Sequence, residues 1–108
     1  MVTVQLDGRH MCDWSSFHTE SQAKFGFPDF YGRNMDAWVD CLSGLRDADG
    51  MSSIVLAPDE TLHIEVLHSD VFCTKAPHIL AVMEDCVEAI NERYAEDGKN
   101  QALQLELR

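Results

Sequence analysis

Two short β-prone segments stand at opposite ends of this chain, "VTVQL" at 2–6 and "ALQLEL" at 102–107, with helical patterns between them. A chain that opens and closes on strands separated by helices predicts a small sheet covered by helices, an α/β arrangement. With 108 residues, 45% of them hydrophobic, the expectation is one domain over 1–108 that buries a core without metal or disulfide staples.

Local signals divide the interior. After the Asp7-Gly8 turn, Asp13 is a natural N-cap for a helix carrying Trp14, Phe17, Ser21 and Phe25 at helical spacing, with Gly26 just past its end. "FPDFYG" reads as a turn in which Pro28 fixes its own φ and Gly32 is free for a positive one. Asn34 then caps a second helix from 35 to about 44, whose Met35, Trp38, Val39, Leu42 and Leu45 share an arc of about 120°. The apolar runs on either side of Pro58-Asp59, within 51–67, suggest a hairpin. Asp70 offers a cap for one helical turn, and Pro77 opens a long helix that Gly98 ends. Along that helix Glu84, Glu88, Glu92 and Glu96 recur every four residues on a face away from the core stripe.

Charge narrows the partners. Nineteen acids against eight Lys plus Arg give a net charge of −11, a field that repels nucleic acid and anionic membranes and attracts cationic proteins. Solubility alone also explains an acidic balance, so charge by itself names no partner. The opening "MVTVQLDGRHM" has neither a charged n-region nor an apolar h-region, and no apolar run is long enough to span a bilayer. A cytoplasmic monomer is the expectation. Cys12, Cys41, Cys73 and Cys86 form no CxxC pair, and Cys41 and Cys86 fall on faces expected to be buried. His63 and His68 lie five apart in a run read as strand, which sends them to opposite faces, so no metal site is expected. Phosphate loops, nucleophile elbows and HExxH are absent, and neither enzyme nor cofactor is indicated.

Asp36 and Asp40 carry more information. They sit one helical turn apart, about 40° from each other on the wheel, beside the core stripe, so both carboxylates leave the same ledge. The helix dipole favours Asp36 in the first turn by about 0.3–1 kcal/mol. Asp40 has no such support and no cation at i±4. Unpaired like charges beside Phe30 and Tyr31 are what an acidic binding surface looks like before its cationic partner arrives. One aromatic is expected to be buried as a staple, the other to anchor a partner.

The stretch "FPDFYGRNMDAWVDCLSGL" resembles the signature of the barstar family, intracellular inhibitors of the secreted ribonuclease barnase. Phe30-Tyr31, Gly32, Asn34, Met35, Asp36, Ala37, Trp38-Val39, Asp40, Cys41 and Leu42 fill that pattern without a gap. The resemblance implies a mostly parallel sheet of about three strands, with the hairpin as an addition. It also implies that the second helix and its preceding loop plug a nuclease active site. Asp40 would stand in for an RNA phosphate among catalytic His, Arg and Lys side chains, and Asp36 would hold a substrate-binding Arg. Phe30 would pack on the catalytic histidine, within a surface that takes in Tyr31, Asn34, Val39 and Gly44. Glu92 would add a salt bridge from the last long helix, with Glu96 next. The chain departs from the family pattern in Phe30 for tyrosine, Val39 and Leu45 for tryptophans, and Arg33, which puts a cation at the edge of the acidic surface. Two alternatives stay open: an immunity protein against a toxin that is not a nuclease, and an acidic adaptor working through 51–67.

Overall fold

The structure, a computed structural model, describes residues 2–46, 52–57 and 59–108. In chain order it has strand β1 (Val2–Asp7), a 3-10 turn (Gly8–His10), helices α1 (Trp14–Phe25) and α2 (Met35–Ser43), then strand β2 (Leu62–Leu67). Helices α3 (Ser69–Lys75) and α4 (Pro77–Glu96) follow, and strand β3 (Leu103–Leu107) closes the order. The three strands form one sheet in the order β1-β2-β3, both pairs parallel. This is the α/β fold that the terminal strands predict.

Register sorts the sheet into a dry face and a wet one. Val4 aligns with Ile64 and Leu105, and Leu6 with Val66 and Leu107, so apolar rows run across all three strands. Leu6, Leu62, Ile64, Val66 and Leu103 are fully buried beneath the helices. The opposite face carries Gln5, Glu65 and Glu106 in one row and Thr3, His63 and Gln104 in the next. Gln5 Nε2 donates to Glu65 Oε1 at 3.0 Å, and His63 Nδ1 lies 2.8 Å from Glu106 Oε2. Parallel sheets are ordinarily covered on both faces. Here the strict alternation of "LHIEVL" leaves one face to water, so the helices cover a single side.

The helix starts follow the sequence signals closely. Asp13 accepts from the Ser16 N–H while the Ser16 hydroxyl serves the Asp13 N–H, a complete capping box. Gly26 ends α1 at φ 69°, where an added Cβ would fall 1.8 Å from Ser53 Oγ. Pro77 is the first residue of α4, and Gly98, at φ 74°, follows its end.

Several expectations need correction. No hairpin forms within the described part of 51–67: β2 is the central strand of the sheet, and 52–57 is not strand. Pro58, on which the expected turn hinged, lies outside the described residues. The 52–57 segment is a strap that finishes helix ends. Ser52 Oγ and the Ser53 N–H both donate to Phe25 C=O, at 2.6 and 3.2 Å, and the Leu56 N–H donates to Leu45 C=O at 2.7 Å. Carbonyls at a helix C-terminus lack intrahelical donors, and the strap satisfies them with two main-chain N–H groups and the Ser52 hydroxyl instead of pairing with a strand. Asp70 does not cap α3; the N-cap position before Ser69 is His68, left-handed at φ 52° and making no side-chain cap. His68 therefore lies past the end of β2. Cys41 is buried as expected, whereas Cys86 is only half-buried.

Candidate functional site

α2 is held in place from its first residue. The Asn34 side chain accepts from the Ala37 N–H at 2.8 Å, so its amide is engaged in starting the helix. Trp38, Cys41, Leu42 and Leu45 are buried, and the Trp38 indole N–H donates to Ser21 Oγ at 3.3 Å, tying α2 to α1. With that stripe fixed, Asp36 and Asp40 are exposed on one side of α2. Among the described residues neither carboxylate has an ion-pair or hydrogen-bond partner. Val39 and Gly44 are half-buried beside them.

The preceding loop splits its aromatic pair. The Tyr31 N–H donates to Pro28 C=O at 2.9 Å, closing a turn with Phe30 at its corner. Phe30 is 77% exposed, while Tyr31 is buried at 6%. Phe30, Ala37 and Asp40 line a cleft of about 130 Å³ whose inner wall is Tyr31 and Cys41. An exposed aromatic, a mainly apolar recess and a carboxylate thus stand side by side.

Behind the loop lies a polar and aromatic support that sequence reasoning missed. His18 Nδ1 is 2.6 Å from the Tyr31 hydroxyl, inside the protein. Burial pushes the Tyr31 phenol well above its ordinary range, so it keeps its proton, and burial with Arg33 nearby pushes His18 down. The Tyr31 ring also packs on Phe27 at 4.8 Å, and His18 stacks on Trp14 at 6.0 Å. Arg33, not Gly32, takes the left-handed backbone, at φ 54°. Its guanidinium donates to Ser15 C=O at 2.8 Å and Thr19 Oγ1 at 3.0 Å, so the charge is anchored on α1 instead of standing free at the acidic edge. Only the tertiary fold brings His18 to Tyr31; nothing in their spacing announces it.

The acids of α4 are placed less uniformly than their spacing suggests. Glu92 lines an open groove between α4 and β3, and Glu96 is exposed in the last turn. Two hydrogen bonds tie α4 to the end of α2: Arg93 Nη1 donates to Ser43 Oγ at 3.2 Å and the Tyr94 hydroxyl to Ser43 C=O at 2.6 Å. Cys86 is pushed up by burial and further by Asp85 and Asp36. Among the described residues no group of three or more His, Cys, Asp or Glu is placed to hold a metal ion, and no helix is long and apolar enough to cross a membrane.

Comparison with known proteins places the chain in a family. The Bacillus subtilis (strain 168) protein named "Putative ribonuclease inhibitor YrdF" is 43% identical over 47 residues, which cover 44% of this chain and 52% of that protein. The chain thus spans about half the length of the curated relative it matches. Over residues 1–106 it matches the family described as Barstar (barnase inhibitor), and to that family it belongs.

Proposed function

We propose that this protein inhibits a basic ribonuclease by seating α2 and the 27–34 loop over the enzyme's active site, from within the cytoplasm. The observation that carries the reading is the ledge: Asp36 and Asp40, exposed and unpartnered among the described residues, on a capped helix beside the exposed Phe30. Asp40 occupies the position of an RNA phosphate among the enzyme's cations, and Asp36 engages a second cationic side chain. Phe30 fills the space over the catalytic histidine, with Tyr31 and Asn34 shaping the loop and Val39 and Gly44 completing the contact. Glu92 and Glu96 supply outlying charge. A carboxylate on a packed helix loses little freedom on binding, so more of its Coulomb energy survives as affinity. No catalysis is asked of any residue.

Tagged wild type and Asp40→Ala serve as bait for secreted fractions at low and high salt, and eluates are assayed for RNA cleavage. Wild type is expected to hold a ribonuclease that Asp40→Ala releases. Charge pairs of this kind couple by about 1.5–7 kcal/mol, a range measured on the barnase–barstar complex itself and borrowed from it. Equal retention by both baits removes the ledge from the binding surface. Retention by wild type of a toxin without RNA cleavage moves the target to another class.

A further inference from the structure

A groove of about 690 Å³ runs between α4 and the outer edge of β3, well within the range of roughly 300–1,000 Å³ typical of ligand sites. Its floor is apolar, from Val87, Leu105 and Leu107, and Leu107 is 46% exposed. Its wall carries Glu84, Glu88 and Glu92.

The main chain along that floor is unfinished. Among the described residues β3 pairs only with β2, and its groups alternate between the two sides. Ala102 C=O accepts from the Leu62 N–H and the Arg108 N–H donates to Val66 C=O, so the groups of Leu103, Leu105 and Leu107 face outward. Leu103 is satisfied there: its N–H donates to Asn91 Oδ1 at 2.9 Å, and its C=O accepts from Asn91 Nδ2 at 2.9 Å and Gln101 Nε2 at 2.6 Å. Leu105 and Leu107 have no such partner among the described residues. The molecule caps one position of the edge and leaves the next two open above an apolar floor, which is what an added strand completes.

Charge and spacing specify the occupant. Glutamates four apart on a helix rise about 6 Å from one to the next. Alternate residues of an extended chain repeat at about 6.7 Å, close enough for three in succession to stay in register. No Lys or Arg among the described residues is within ion-pair distance of the three glutamates, and a second copy of a chain with net charge −11 is repelled. Lys or Arg fits best, its stem lying on Val87 and Leu105 and its head reaching the glutamates.

We propose that this groove is a second docking surface, which takes an extended segment of a partner protein, with Lys or Arg at alternate positions, as a fourth strand against β3. It shares only Glu92 with the surface assigned to ribonuclease inhibition and does not depend on that reading. The probe is a fluorescent peptide alternating Lys and Val over seven residues, paired with a copy N-methylated at alternate amides, which has the same charge but cannot complete the edge. The unmodified peptide is expected to bind and to slow hydrogen exchange at the Leu105 and Leu107 amides. Glu84→Gln with Glu88→Gln is expected to weaken it about tenfold, two rim charges each contributing a few-fold at low salt. Asp40→Ala is expected to leave it unchanged, which separates this surface from the ledge. Equal binding of the two peptides, unprotected Leu105 and Leu107 amides, loss on Asp40→Ala, or a stable dimer of the protein alone would each overturn the proposal.

Discussion

Arg33 holds a left-handed backbone that costs a residue with a Cβ roughly 1–2 kcal/mol, and its bonds to Ser15 and Thr19 offset that cost. Arg33→Ala keeps the cost and loses the bonds, so urea unfolding should show a loss of about 1–2 kcal/mol. Arg33→Gly relieves the backbone and should recover part of it. His18 acts through the same loop. Its folded value is depressed, so the folded state favours the neutral ring, while the unfolded chain protonates near pH 6.5. The unfolded state therefore takes up the proton first as pH falls. Stability is complete above about pH 6.5 and declines below it, toward the lower folded value. Arg33 is the cation nearby, and Tyr31, Trp14 and Phe17 are the other groups against the ring. Denaturant midpoints between pH 7.5 and 5 should fall for wild type and flatten for His18→Gln.

α2 begins at Asn34, and the direction of both aspartates depends on that start. Asn34→Ala should cost about 1 kcal/mol of stability, read by chemical denaturation. It should also weaken capture of the target by fraying the first turn under Asp36. The cap, the amphipathic stripe and the shared ledge were all legible in the sequence because each depends on residues within one or two turns. The strap at 52–57 was not. Its apolar alternation matches a strand, but its hydrogen-bond partners are the ends of α1 and α2, and no local pattern reports where a distant carbonyl lies. The same limit hid His18 beneath Tyr31. Gly32 looked like the left-handed residue because glycine is the cheapest choice there, and side-chain bonds from Arg33 overrode that preference.

For the whole molecule, the net charge of −11 makes association a matter of ionic strength. With a basic target, the association rate should fall by at least about tenfold between low salt and 0.5 M salt. The dissociation rate should change far less, and stopped-flow mixing separates the two. The sheet has a different consequence, set by when its parts are made. β1 is finished by Asp7, yet Gln5 waits for Glu65, 60 residues later, before its row can form. At about 5–20 residues per second, a ribosome leaves β1 without a neighbour for roughly 3–12 s. Val4 and Leu6 then lack the neighbouring strand that completes their rows, and β3 comes later still. Newly made protein is therefore most exposed to misassembly before residue 67 emerges, and a chaperone that holds apolar segments has its work at β1.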